Sequence, residues 1–285
     1  MLYSALLGKP VDHSVSPELF RMLGEQFGFE YGHIKINVES KKILPQYLAA
    51  LETLGFCGVN ITLPYKIDVM KFIDEFDESA IKCGAVNTIK FKGPITKGYN
   101  TDAFGAIKAI EKKLKPIRCD EKVCVIGAGG AARAVIFEVY KRTRNLSIIN
   151  IDTKQAKEIS RDISGSKIEY FELNDKNMYK LISESNFIIN TTPVGMSPNF
   201  TKSIVSQNVL DKFKSLKGKY FFDAIFNPYK TKFLSDVEAK GATVCSGMYW
   251  MVFQAAAASK IWIGKDFSET INADEISKSL AKFLK

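Results

Sequence analysis

Apolar and polar positions along the chain follow two periods, and the changes between them mark the elements. Met1 to Leu7 is a short apolar run stopped by Gly8-Lys9-Pro10, as expected of a strand. Pro17 suits the first turn of a helix, with Ser16 as its N-cap and Leu19, Phe20 and Leu23 on the buried side. Tyr31 to Val38 alternates as a strand, Pro45 to Leu54 is an amphipathic helix, and Val59 to Leu63 is a buried strand ended by Pro64. Asp74 to Glu78 is an acidic, exposed stretch, and Gly84-Ala85-Val86-Asn87-Thr88 turns tightly into another strand. A helix over Ala103 to Leu114 leads through a charged connector, Lys115 to Lys122, into a strand at Val123 to Ile126 and a helix at Ala131 to Tyr140. Further strands are expected at Leu146 to Ile151, Lys167 to Phe171, Phe187 to Asn190, Tyr220 to Asp223 and Thr243 to Cys245, with Ser197 to Leu210 as a surface loop. One long apolar helix follows Gly247, and Asn272 to Lys285 forms a last amphipathic helix. Strands alternating with helices place the chain in the α/β class.

Composition narrows this picture. With 285 residues, 46% hydrophobic and 25% charged, the chain suits one large or two ordinary domains with a core that needs no staple. Its five cysteines, Cys57, Cys83, Cys119, Cys124 and Cys245, are odd in number and form no C-x-x-C, which argues against a disulfide framework or a zinc site. Free thiols fit a reducing cytoplasm. No signal peptide is recognised at the N-terminus, and the apolar run Ala242 to Ser259 fits a buried core helix better than a membrane span. The net charge of +9 comes from scattered lysines without interleaved aromatics, so no nucleic-acid platform is expected. The positive potential would draw anionic substrates and cofactors.

The most informative stretch is Lys122 to Ile136, K-V-C-V-I-G-A-G-G-A-A-R-A-V-I. A strand running straight into a glycine cluster that opens a helix is the start of a dinucleotide-binding unit. Gly127 permits the tight turn, Gly129 lets the backbone approach a pyrophosphate, Gly130 leaves the next turn uncrowded, and Ala132 lets the helix pack close. Asp152, about 20 residues on at the end of the next strand, stands where the fingerprint wants a ribose-binding carboxylate. The competing explanation is a tight turn with no ligand. A phosphate-binding P-loop is excluded, because no G-K-S or G-K-T occurs.

Polar residues elsewhere gather at strand ends and helix starts. Ser14 and Ser16 lie two apart beside a helix N-terminus, a pairing suited to a carboxylate, although a cap alone would explain Ser16. Asn60 and Thr62 share one face of a strand. Lys66 opens the next helix, where the macrodipole disfavours a cation, so a site role competes there with plain solvation. Asn100, Thr101 and Asp102 precede a helix, and Asp102 has N-cap as its structural alternative. Gln254 is the one uncharged polar side chain in the middle of the long apolar helix, which implies a buried hydrogen-bonding duty.

Taken in order, H-S-V-S-P, V-N-I-T-L-P-Y-K, G-A-V-N-T, N-T-D, G-A-G-G-A, N-T-T-P-V-G-M, the D-x-I-x-N-P stretch and a C-terminal G-M…Q resemble the shikimate/quinate dehydrogenase family over essentially the full chain. The resemblance implies an N-terminal α/β substrate domain, residues 1–103 completed by C-terminal helices in 247–285. It also implies an inserted Rossmann dinucleotide-binding domain, residues 104–246, with the active site in a cleft between the two. It implies Lys66 and Asp102 as the catalytic pair, Ser14 and Ser16 as ligands of the substrate carboxylate, and Thr62, Asn87, Asp102 and Gln254 as ligands of the ring hydroxyls. Cofactor contacts would come from Gly127, Ala128, Gly129, Gly130, Ala131, Asn150, Asp152, Thr191, Pro193, Ile225 and Gly247. The chemistry implied is reversible hydride transfer between 3-dehydroshikimate and shikimate, with no metal and no macromolecular ligand, by a cytoplasmic monomer or homodimer. A histidine base has little support, since His13 falls in the substrate loop and His33 in a strand. A lysine can serve as a base when burial lowers its pKa toward ~7–8.

Two departures from the family pattern bear on specificity. The family's N-R-T with a following arginine, which clamps the 2′-phosphate of NADP, is replaced by Asn150-Ile151-Asp152-Thr153-Lys154-Gln155. A carboxylate there favours NAD, with NADP as the alternative that Lys154 would help. Phe226 stands where the family has a tyrosine that reaches toward the substrate carboxylate, which keeps quinate in view as a second substrate and an aminoshikimate-type acid as an alternative. Ser16 in place of threonine leans toward shikimate. A non-catalytic dinucleotide sensor is the remaining alternative from another class.

Overall fold

The computed structural model describes Met1 to Leu284 and divides into two compact units. The first joins Met1–Gly105 to Val252–Phe283, and the second is built on Ala106–Met251. The division falls inside two long helices, so each unit owns one end of both.

The first unit contains β1 (Leu2–Gly8), α1 (Ser16–Phe27), β2 (Tyr31–Asn37), α2 (Leu44–Thr53), β3 (Gly58–Ile61), β4 (Glu75–Phe76), α3 (Glu78–Cys83), β5 (Thr88–Lys92), β6 (Ile95–Tyr99) and the start of α4 (Thr101–Lys113). Its mixed sheet runs β2-β1-β3-β5-β6-β4, with β1 parallel to both neighbours and β5 antiparallel to β3 and β6. Ala5, Leu7, Val59 and Ile61 pack against Leu44, Leu48 and Leu51, the residues of α2 spaced to share one helical face. Elsewhere in this unit Phe20 stacks near Tyr31, His33 and Trp262, and the Trp262 indole donates to Ile89 O at 2.9 Å.

The second unit continues with β7 (Val123–Ile126), α5 (Gly130–Arg142), β8 (Leu146–Asn150), α6 (Thr153–Ser164), β9 (Glu169–Glu172), α7 (Asp175–Glu184), β10 (Phe187–Asn190), α8 (Gln207–Leu210), β11 (Tyr220–Asp223), α9 (Lys232–Glu238), β12 (Thr243–Cys245) and the start of α10 (Gly247–Ile263). After α10 the chain returns to the first unit with α11 (Ala273–Ala281). The sheet is wholly parallel in the order β12-β11-β10-β7-β8-β9. This is the doubly wound Rossmann arrangement, whose strand order reverses between β7 and β10. Its central strands are buried throughout, as parallel strands covered on both faces must be.

Several expected bounds shift for local reasons. The strand expected over Val59 to Leu63 ends at Ile61, and Leu63 is 73% exposed. The strand expected from Lys167 begins at Glu169, because the Ser164 hydroxyl takes the N–H groups of Lys167 and Ile168 and holds them in a turn. The loop expected over Ser197 to Leu210 is not all surface: Val205, Val209 and Leu210 join the core, and Ser206 caps the short helix α8. The acidic stretch at 74–78 does structural work, since Asp74 accepts from the Thr96 N–H and hydroxyl and Asp77 caps α3. The last helix covers Ala273–Ala281, with Asn272 as its cap; Lys285 lies outside the described residues.

Candidate active site

Lys66 follows β3 in a short connection, and its carbonyl is tied to the Val86 N–H at 2.8 Å. That tie sets its side chain beside the N-terminal turn of α4. Lys66 Nζ donates to Asp102 Oδ2 at 2.7 Å, and both side chains are partly buried, at 29% and 17% exposure. Asp102 does not cap α4. Asn100 takes that duty, its Oδ1 accepting from the N–H groups of Asp102 at 3.1 Å and Ala103 at 3.3 Å. The Asp102 carboxylate is thus left to the lysine and to whatever else approaches it.

Ser14 and Ser16 are together, but their structural duties are the reverse of those expected. Ser16 is the first residue of α1, with Val15 in the cap position. Ser14 Oγ accepts the Ser16 N–H at 3.2 Å and donates to Ser16 Oγ at 3.0 Å. With that N–H engaged and Pro17 lacking one, the helix end has little to offer an anion, so the two hydroxyls are the groups left for a carboxylate. Lys35, which sequence reasoning missed, brings its ammonium to the carbonyls of Asp12 and Ser14 at 2.8 and 3.3 Å. Its place in an alternating strand gave no signal.

Asn60, Thr88, Asn87, Thr101 and Gln254 form one polar cluster in the first unit. Asn60 Nδ2 donates to Asn87 O and Thr88 Oγ1, and Asn87 lies against both the N–H and the hydroxyl of Thr101. Gln254 is half-buried rather than buried, with Thr101 Oγ1 3.4 Å from its Oε1. Thr62, half-buried, packs its methyl close to Gly8. His33 is no candidate base: it is buried in β2 against the Ser4 hydroxyl at 2.7 Å, and burial lowers its pKa to about 3.

In the second unit the glycine turn leaves β7 where the strand order reverses. Gly127 has φ +110°, and a Cβ there would lie 2.6 Å from Thr191 Oγ1, so only glycine fits. Gly129 and Gly130 are exposed, with open space where a Cβ would sit, and Ala128 and Ala131 are half-buried. Helix α5 has no side-chain cap, which leaves N–H groups at its start for an anion. Arg133, also missed from the sequence, ion-pairs with Asp162 at 2.7 Å and has a buried Nε without a partner. The turn therefore fits a dinucleotide pyrophosphate.

Asn150 ends β8, and its Nδ2 donates to Asp152 O at 2.9 Å. Asp152 caps α6 through Oδ1, which accepts the Lys154 N–H at 2.8 Å; the carboxylate is exposed. Beside it Ile151 is 81% exposed. Thr191 donates to Ile126 O at 2.7 Å, Pro193 is exposed, and Ile225 is buried. At Gly247 a Cβ would lie 2.3 Å from Ala224 O, so only glycine fits there. Asp223 is fully buried at the end of β11, bound to Asn190 Nδ2, the Thr231 hydroxyl and the Ile225 N–H. Burial pushes its pKa up to about 6 despite those three donors.

Comparison with known proteins bears on the family and the fold. The family described as "Shikimate dehydrogenase substrate binding domain" matches residues 6–89, and "Shikimate / quinate 5-dehydrogenase" matches residues 109–228. A relative from Methanococcus maripaludis, named shikimate dehydrogenase (NADP+), is 38% identical over 259 residues, covering 91% of this chain and 90% of its own. A shikimate dehydrogenase solved in complex with NADP+ superposes with a TM-score of 0.88 at 31% identity, covering 100% of this chain and 96% of the other. A shikimate 5-dehydrogenase from Listeria monocytogenes, solved with shikimate and NAD, gives 0.86 at 25% identity, covering 98% and 96%.

Proposed function

The chain belongs to the shikimate/quinate dehydrogenase family, and on that premise we propose that it interconverts shikimate and 3-dehydroshikimate by reversible hydride exchange with a nicotinamide dinucleotide. The observation behind this reading is the Lys66–Asp102 contact of 2.7 Å, with the capping of α4 passed to Asn100. A sensor that only binds dinucleotide has no need of such a pair.

The bound dinucleotide supplies the hydride acceptor. The chain's residues manage the proton and the fit. Oxidation of the C3 hydroxyl requires its proton to leave, and Asp102 can accept a hydrogen bond from that hydroxyl while holding the Lys66 amine. The neutral amine takes up the proton at Nζ and, as the ammonium beside Asp102, returns it in the reverse reaction. When substrate binds, Ser14 turns its proton from Ser16 Oγ to the substrate carboxylate, to which Ser16 also donates, and Thr62, Asn87 and Gln254 meet the ring hydroxyls. Phe226 has no hydroxyl to add, which favours tolerance of quinate beside shikimate.

The preferred cofactor in this reading is NAD, although the archaeal relative is named for NADP+. Neither Ile151 nor Gln155 carries a charge to clamp a phosphate, and the exposed Asp152 carboxylate repels one while its second oxygen can accept from a ribose diol. The cytoplasm suits its free thiols. Steady-state rates with shikimate and each dinucleotide test the proposal. Turnover with kcat/KM higher for NAD supports it; a higher value for NADP refutes the cofactor assignment, and no turnover of shikimate refutes the activity.

A further inference from the structure

The loop between β1 and α1, which carries Ser14, is held by the edge strand β2. His33, Lys35 and Asn37 alternate onto one face of that strand, and the His33 ring packs there against Phe20 of α1. Beyond His33 the next two side chains of the face meet the loop instead. Asn37 Oδ1 accepts the Val11 N–H at 3.0 Å, and Asn37 Nδ2 donates to Asp12 Oδ1 at 2.9 Å. The Ser14 N–H closes the loop on Val11 O at 3.0 Å. These three bonds shape the loop without Lys35. What Lys35 adds is a charge. Two of its three N–H donors go to Asp12 O and Ser14 O, at 2.8 and 3.3 Å, and neither acceptor is an acid. The Asp12 carboxylate is turned to Asn37, and among the described residues no carboxylate pairs with the Lys35 ammonium. Other lysines of this unit do find acids: Lys9 pairs with Glu39, Lys41 with Asp68 and Lys66 with Asp102.

We propose that Lys35 is a specificity-determining residue: it holds an ammonium without an acid partner behind Ser14, so that the serine hydroxyls receive a carboxylate in preference to a neutral group of similar shape. The inference rests on the activity proposed above. Hydroxyls alone donate to a neutral ester or amide as readily as to an anion, and a fixed positive charge beside them supplies the discrimination.

Lys35→Gln keeps an N–H donor for the loop and removes the charge, whereas Lys35→Arg keeps both. Lys35 is exposed, so neither change disturbs the core. KM and kcat are measured for both variants and the parent enzyme, with shikimate and with its uncharged methyl ester; where the ester turns over slowly, it is followed as a competitive inhibitor. Lys35→Gln is expected to raise the KM for shikimate about fivefold, the upper range for a charge exposed to solvent. It should leave kcat and the binding of the ester close to the parent's, and Lys35→Arg should recover the KM. Added salt should weaken shikimate binding more in the parent than in Lys35→Gln. A lysine that only braces the loop would weaken acid and ester alike, or would be replaced in full by glutamine; either result overturns the proposal. If Lys35→Gln does not fold, Lys35→Met must show the same selective loss of the acid. A parent enzyme that does not oxidise shikimate would refute the proposed activity, and the role of Lys35 with it. Turnover by the parent with an unchanged preference for acid over ester in the charge-free variant would refute only the role of Lys35.

Discussion

Asn100 Oδ1 accepts the Asp102 N–H at 3.1 Å, and through that bond the neutral residue of Asn100-Thr101-Asp102 caps the helix and the charged one is released toward Lys66. Asn100 is itself held, its Nδ2 donating to Ala85 O at 3.0 Å and its N–H to Ser79 Oγ at 3.1 Å. The duty of Asp102 is therefore decided two residues upstream of it.

Asn100→Ala should lower thermal stability by about 1 kcal/mol for the lost cap. It should also lower kcat, because the freed N–H groups then compete for the Asp102 carboxylate. Asn100→Ser, which keeps a capping oxygen, should recover part of that stability. Thermal melts paired with steady-state rates check this. Normal kcat in Asn100→Ala would mean that the cap and the Lys66 pair are independent.

Asp152→Ser separates the two duties of that residue. Serine caps helices about as well as aspartate, so the melting temperature should hold. Removing the carboxylate should shift the ratio of kcat/KM for NAD over NADP toward NADP by about tenfold, the size of one lost hydrogen-bond and repulsion term of ~1.4 kcal/mol. An unchanged ratio would assign Asp152 to α6 alone.

Asp223 predicts an uncommon pH dependence. Its folded pKa is raised, from 3.8 to about 6, so its contribution to stability is fully present below the unfolded value and is lost as pH rises through about 6. The loss amounts to a few kcal/mol at most. Asp223→Asn keeps an acceptor for Asn190 and Ile225 and cannot ionise. The stability difference, variant minus parent, should rise between about pH 4 and pH 6 and level off above, measured by denaturant unfolding. A flat difference would contradict the assignment.

The sequence made the second unit legible because buried parallel strands ending in turn residues leave few alternatives. Val123–Ile126, Phe187–Asn190, Tyr220–Asp223 and Thr243–Cys245 fall where the apolar runs placed them. What stayed hidden was the division of labour among neighbours of one chemical type. Asn100, Thr101 and Asp102 can each cap a helix, and only the tertiary bonds to Ser79, Ala85 and Asn87 choose between them. Ser14 and Ser16 exchanged duties through a local bond, the Ser16 N–H donating to Ser14 Oγ, that the residue types alone do not choose. Lys35 and Arg133 meet their surroundings through contacts made across elements, which no local period records.

The kcat of Lys66→Ala for shikimate oxidation, followed by the appearance of NADH, bears most directly on the proposed pair. Loss of a group that moves a proton in the transition state costs about 10²–10⁴ in rate, so a fall of that order is expected, with the fold unchanged by circular dichroism. A near-normal kcat would reduce the 2.7 Å contact between Lys66 and Asp102 to a surface ion pair and contradict the proposed chemistry.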